Sequence, residues 1–134
     1  MAAQSLVLII DDNEDFQNLY GMVAEQAGYV VEHIYNGKEA VERLEREPIP
    51  FAVLLDSRLP GMSGGEILRA ARRKEKWSRV LIYIMTADLR GAQEFREYAP
   101  SEPHADAVIE KGGATISELR ELFRTLGEKK SPAE

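Results

Sequence analysis

The sequence predicts an α/β fold built on a five-stranded parallel sheet, and three observations carry that prediction. Short apolar runs at residues 6–10, 30–34, 51–55, 80–85 and 107–109 alternate with longer amphipathic stretches. Four of the runs are rich in Val, Leu and Ile without polar alternation, as strands covered on both faces are. Helix-start spacings fall where the amphipathic stretches begin. Alternating strands and helices need crossover connections. Those run right-handed and place helices on both faces of the sheet.

Each helix follows from its own apolar spacing. Phe16, Leu19, Tyr20, Val23, Ala24 and Ala27 share one helical face, and Gly28 supplies a stop. Ala40, Val41 and Leu44 repeat the pattern, as do Ile67, Leu68 and Ala71. A fourth helix is expected at residues 91–98, after which Pro100 and Pro103 force an irregular stretch. Ile116, Leu119, Leu122, Phe123 and Leu126 mark the last helix. Asn36 with Glu39, Ser63 with Glu66, and Thr115 with Glu118 have capping-box spacing or a close relative of it. One domain over residues 1–126 is expected, followed by a flexible polar tail at 127–134.

Composition narrows the function classes. A chain of 134 residues, 44% hydrophobic and 30% charged, accommodates one domain with one full core. No apolar run is long enough to span a bilayer. The first residues lack the basic region of a signal peptide, and the first apolar run ends in Asp11 and Asp12. With no cysteine there is neither a disulfide framework nor a thiolate metal site, so a cytoplasmic location is expected. A net charge of −6 argues against direct nucleic-acid binding. The cluster Arg69, Arg72, Arg73, Lys74 and Lys76 reads as the solvated face and end of a helix, and Trp77 as a packing residue. His33 and His104 have no partner at ligand spacing and read as ordinary side chains.

Sheets of this kind bind ligands beyond the carboxyl ends of their strands. Strand one ends in Asp11 and Asp12, strand three in Asp56, strand four in Thr86, and strand five runs into Lys111. Three converging carboxylates repel one another and stay ionised together only beside a cation. An all-oxygen site with water available suits Mg²⁺. A carboxylate in that setting can act as nucleophile toward phosphorus and form an acyl phosphate. One lysine, one hydroxyl and one metal suffice for the charge stabilisation that phosphoryl transfer needs.

This ordered set, with the run Asp56-Ser-Arg-Leu-Pro60-Gly-Met62-Ser-Gly64, resembles the receiver domain of two-component response regulators, the CheY-like family. The resemblance spans about residues 6–126. It implies a flavodoxin-like doubly wound sheet of order 2-1-3-4-5. It also implies that Asp56 is the phosphoacceptor, with Mg²⁺ held by Asp11, Asp12, Asp56 and the backbone carbonyl of Arg58. Lys111 would contact a phosphate oxygen, and Thr86 would bond the phosphoryl group and report it. The implied donor is a phosphohistidine on a sensor histidine kinase or histidine phosphotransfer protein. Output would be contact with a downstream protein of unknown identity, by a monomer or weak dimer. Such a domain signals rather than serving as an enzyme, apart from its own phosphoryl transfer and slow autodephosphorylation.

Two positions depart from the family pattern. Gly112 follows Lys111 where the family usually has a cis proline, so a trans bond and a differently shaped loop are expected. Val108 stands where the family usually has a mobile aromatic ring, so the signal is expected to leave Thr86 through backbone shifts around residues 91–98. Arg58 and Asp88 occupy positions that tune hydrolysis in the family. A phosphorylation-independent interaction module of the same fold is the alternative reading. An aspartate-nucleophile phosphohydrolase is less consistent, because Asp11-Asp12-Asn13 lacks that class's Asp-x-Asp. A flavodoxin-type carrier is disfavoured, because no Gly/Ser/Thr phosphate loop follows the first strand.

Overall fold

The computed structural model describes residues 5–87, 105–111 and 116–128. The helix expected at 91–98, the Thr115 cap, Asp88, His104 and the Lys111–Gly112 linkage lie outside them. The chain order is β1 (Leu6–Ile10), α1 (Glu14–Gln26), β2 (Val30–Ile34), α2 (Gly37–Arg43), β3 (Ala52–Asp56), α3 (Gly64–Arg72), β4 (Leu81–Thr86), β5 (Ala107–Glu110) and α4 (Ile116–Glu128). A single 3₁₀ turn at Glu75–Trp77 links α3 to β4, and Arg58–Leu59 pairs with Met62–Ser63 in a small antiparallel ladder.

All five strands of the main sheet pair in parallel in the expected order, β2-β1-β3-β4-β5. The register sets Ile10 beside Ile34 and Leu55, Asp56 beside Met85, and Thr86 beside Glu110. The carboxyl ends of β1, β3, β4 and β5 therefore finish along one edge. Side chains alternate between two cores. Val7, Ile9, Leu54, Tyr83 and Met85 pack with Tyr20 and Val23 of α1 and with Leu119, Phe123 and Leu126 of α4. Leu8, Ile10, Val53, Leu55, Ile82 and Ile84 pack with Ala40 of α2 and with Ile67, Leu68 and Ala71 of α3. Covering both faces is why the central strands are apolar throughout. Each of Leu119, Phe123 and Leu126 gains about 2 kcal/mol on leaving water, and that burial docks α4. As the edge strand, β2 is less covered, and Val30 and His33 are exposed.

Caps set the helix starts. Ser63 and Glu66 form a complete capping box on α3, and the Asn36 side chain accepts from Glu39 N–H at the start of α2. Helix α1 is capped by Asn13, whose Oδ1 accepts from Phe16 N–H at 3.0 Å. At its other end Ala27 is the cap and is exposed, so it does not belong to the buried stripe. Helix α4 runs through Gly127 to Glu128, two residues into the segment expected to be tail, where Arg124 pairs with Glu121 and Glu128.

Within the basic cluster Arg73 and Lys76 are exposed, as expected of a solvated face, whereas Arg72 is largely covered. Arg72 reaches past the end of α3 to donate to the carbonyl of Val80 at 2.8 Å, and its Nη2 lies 2.9 Å from Asp106 Oδ2. Lys74 pairs with Glu45, and Lys76 with Glu47. These groups bridge the loops at the amino ends of β3 and β4, because α3 ends over that edge of the sheet.

Candidate phosphoacceptor and metal site

The site forms where four strands run out together. Asp11 is the first residue beyond β1. Its N–H donates to the Ile34 carbonyl at 3.0 Å, and its Oδ1 accepts from Asn13 N–H at 2.8 Å. That tight turn leaves Asp11 with no exposed surface and Asp12 exposed. Because Asn13 takes the helix cap, neither aspartate is used up in capping.

Asp56 closes β3 and is 6% exposed. Its Oδ1 accepts weakly from Arg58 N–H at 3.3 Å. The following loop folds straight back through Pro60 and Gly61, where Gly61 has a φ of 76° that a side chain would resist. Gly64 N–H then donates to the Ser57 carbonyl at 2.9 Å. A Cβ on Gly64 would lie 2.4 Å from the Asp56 carbonyl oxygen, so this close return requires glycine.

Lys111 enters from β5. Its N–H donates to the Thr86 carbonyl at 2.7 Å, which ties it to the end of β4, where Thr86 is buried. Its Nζ donates to Asp11 Oδ1 at 3.1 Å and to Asp56 Oδ2 at 3.0 Å. Asp11 Oδ2 also lies 2.9 Å from that nitrogen, but misaligned. It is buried and, among the described residues, has no hydrogen-bond partner. One amine thus serves two buried carboxylates incompletely.

The electrostatics follow from this crowding. Burial raises the Asp56 carboxyl above the usual range and the charge on Asp11 adds to the rise, while Lys111 and the Arg58 N–H oppose it. Burial works against the Lys111 ammonium. Its hydrogen bonds to Asp11 and Asp56 outweigh that effect and hold its pKa above the ordinary value.

The residues fit a hard cation. Carboxylate oxygens of Asp11, Asp12 and Asp56 all lie within 4.8 Å of one another, Asp11 Oδ2 accepts no hydrogen bond among the described residues, and the one ammonium of Lys111 leaves an excess of negative charge that an ion would balance. An all-oxygen donor set with one exposed side suits Mg²⁺ better than a soft transition metal.

One residue absent from the sequence reading, and one with a contact the sequence did not disclose, prove structurally important here. Gln17 on α1 is fully buried, and its Nε2 lies 2.8 Å from the Ile9 carbonyl, 3.0 Å from that of Asp11 and 2.7 Å from that of Ile34. It clamps the end of β1 to β2 just below the acids. Its Oε1 meets His33 Nδ1, so that histidine has a polar partner on α1. Phe16, expected only as an apolar helix residue, has its ring 4.5 Å from Lys111 Nζ. The one legible signal for Gln17 was its place on the stripe of Tyr20, Gly21 and Ala24, where a polar residue must find partners.

Comparison with known proteins gives one consistent answer. Residues 7–123 match the family described as the response regulator receiver domain. The sporulation initiation phosphotransferase F of Bacillus subtilis is 34% identical over 91 residues, covering 68% of this chain and 73% of that protein. The phosphate regulon transcriptional regulatory protein PhoB of Rhizobium meliloti is 34% identical over 90 residues, 67% of this chain but 38% of that protein. This chain thus corresponds to a part of some longer relatives. Among solved structures, the receiver domain of the Pseudomonas aeruginosa sensor histidine kinase PA1611 superposes with a TM-score of 0.77 at 28% identity, covering 93% of this chain and 99% of that one. That structure holds a magnesium ion in its active-site cleft. With the strand order, the acids at the strand ends and the lysine beside them, these matches show that the chain belongs to the receiver-domain family of response regulators.

Proposed function

We propose that Asp56 accepts a phosphoryl group from a phosphohistidine on a sensor histidine kinase or histidine phosphotransfer protein, and that the phosphorylated domain signals through contact with another protein. The observation that carries this reading is the pair of buried carboxylates, Asp11 and Asp56, which among the described residues meet a single amine and leave one Asp11 oxygen without a hydrogen bond. A structural ion pair has no reason to leave an excess of buried negative charge. A site waiting for a cation does.

In this reading an Asp56 oxygen attacks phosphorus, the bond from phosphorus to the donor imidazole nitrogen breaks, and its electron pair returns to the ring. Asp11, Asp12, Asp56 and the Arg58 carbonyl would hold Mg²⁺, which supplies charge neutralisation on the transferring oxygens. Lys111 turns from Asp11 toward a phosphoryl oxygen, and the Thr86 hydroxyl closes on another. The acyl phosphate hydrolyses slowly without further catalysis. Val108 is partly buried against the α2/α3 core and offers no ring to swing, which supports a signal leaving Thr86 through the main chain.

The test is mass measurement after incubation with acetyl phosphate. The wild type with Mg²⁺ should gain one phosphoryl group, Asp56→Asn none, and the wild type without Mg²⁺ almost none. No gain in the complete mixture would leave a phosphorylation-independent interaction module as the reading. Label retained in Asp56→Asn would move the acceptor elsewhere.

A further inference from the structure

The geometry points to Phe16 as the positioning residue for Lys111, an aromatic face that keeps the amine at the site mouth when its carboxylate partners are otherwise engaged. This deepens the proposed function and rests on the reading that Lys111 meets the phosphoryl group.

Lys111 lies one residue beyond β5, and its side chain is a flexible four-carbon stem. Nothing in the chemistry of a lysine fixes where its amine rests. In the resting site Asp11 and Asp56 hold it. Those are also the groups that a divalent cation and the phosphoryl group engage, so both tethers weaken when the amine is needed. The third contact is of another kind. The Phe16 ring centre lies 4.5 Å from Nζ, within the range in which a ring face attracts an ammonium. A neutral ring does not compete for the cation and adds no charge to an acidic cleft.

Phe16 is also held independently of Lys111. It sits in the first turn of α1, where its N–H is bound by the Asn13 cap. Its ring stacks on Tyr20 with centroids 5.8 Å apart and an interplanar angle of 25°, and packs against the core between α1 and α4. Tyr20 is 2% exposed, which anchors the stack. The ring is thus a fixed wall and the amine the mobile partner. The same helix cap that frees Asp11 and Asp12 also places Phe16, so the turn after β1 sets the metal ligands and the lysine's rest together.

The alternative is that Phe16 merely fills space, and three variants separate the two. In the metal-free protein, the ε-methylene protons of Lys111 should be shifted upfield by the ring current. They should return to ordinary values in Phe16→Leu and stay shifted in Phe16→Tyr. With saturating Mg²⁺ and acetyl phosphate, Phe16→Leu should be phosphorylated roughly three- to tenfold more slowly, while Phe16→Tyr stays near the wild-type rate. In a Lys111→Met background, Phe16→Leu should slow the reaction no further. Equal slowing by Leu and Tyr, or the same slowing in the Lys111→Met background, would mean that packing alone is at work and would overturn the proposal. A Lys111→Met variant with the wild-type rate would overturn the role of Lys111 itself. A slow Lys111→Met beside a wild-type-like Phe16→Leu would overturn the role of Phe16 alone.

Discussion

The two ends of the sheet treat buried charge in opposite ways. At the carboxyl end, Asp11 and Asp56 share one lysine, and among the described residues Asp11 keeps an oxygen without a hydrogen bond. At the amino end the cations are better served. Arg43 is fully buried, and its Nε donates to both Glu32 oxygens, at 3.2 and 3.0 Å. Its Nη atoms donate to the carbonyls of Arg46 and Pro48, and the guanidinium lies 5.8 Å from the centre of the Trp77 ring. Arg72 is likewise spread over a carboxylate and loop carbonyls. One end is closed electrostatically, and it holds the loops together. The other is left open, and it binds. The difference teaches that a buried charge becomes a functional candidate when its surroundings fail to complete it, rather than when it is merely buried.

Mutations at the two ends should therefore part stability from activity. The largest loss of stability is expected for Arg43→Met. It leaves the carbonyls of Arg46 and Pro48 without their buried donor and Glu32 with only its longer pair to Arg46, and it should cost about 3 kcal/mol, read by denaturant unfolding with the single Trp77 as probe. Phosphorylation of the folded fraction should not change. A comparable drop in phosphorylation would show that the two ends are coupled, and the contrast would fail. Gln17→Leu should come next, at about 2 kcal/mol, because the carbonyls of Ile9, Asp11 and Ile34 lose a buried donor. Unlike Arg43→Met, it should also weaken Mg²⁺ binding measured by calorimetry, since the Asp11 main chain loses its clamp. A Gln17 variant that loses stability but keeps its Mg²⁺ affinity would make the clamp purely structural.

These residues also mark what the sequence could and could not disclose. The strands and the helical stripes were legible because apolar periodicity is a direct record of which faces are covered. The acids were legible because a carboxylate has no reason to end a buried strand, and two such strands ended that way. Gln17 and Arg43 were not, because a polar side chain is drawn inward by particular carbonyls that only the assembled loops present. Each nevertheless lies on a buried stripe, Gln17 with Tyr20 and Ala24, and Arg43 with Ala40. Arg72 and Lys74 resembled a purely solvated patch because their partners, Asp106 and Glu45, are about 30 residues away in the chain, whereas Lys76 is exposed as read. Ala27 fitted the apolar spacing but falls at the helix cap, where the face turns outward. Phe16 read as core, and its second contact depends on a lysine from the far end of the domain.

The smallest expected effect concerns pH. Burial, reinforced by the charge of Asp11, raises the Asp56 carboxyl above its unfolded value, so the folded protein binds that proton more tightly than the unfolded chain does. Stability from this group is fully present below the unfolded value, about 3.9 for an aspartate. It is lost as pH rises through the higher folded value. Without Mg²⁺, the wild type should therefore lose stability relative to Asp56→Asn as pH climbs out of the acid range, because the asparagine never ionises. Mg²⁺ favours the carboxylate and should flatten the difference. Thermal midpoints of the two proteins across that range, with and without Mg²⁺, give the measurement. A wild-type curve parallel to that of Asp56→Asn in both conditions would mean that Lys111 already neutralises the site, and the claim that this end of the sheet is left electrostatically open would fall.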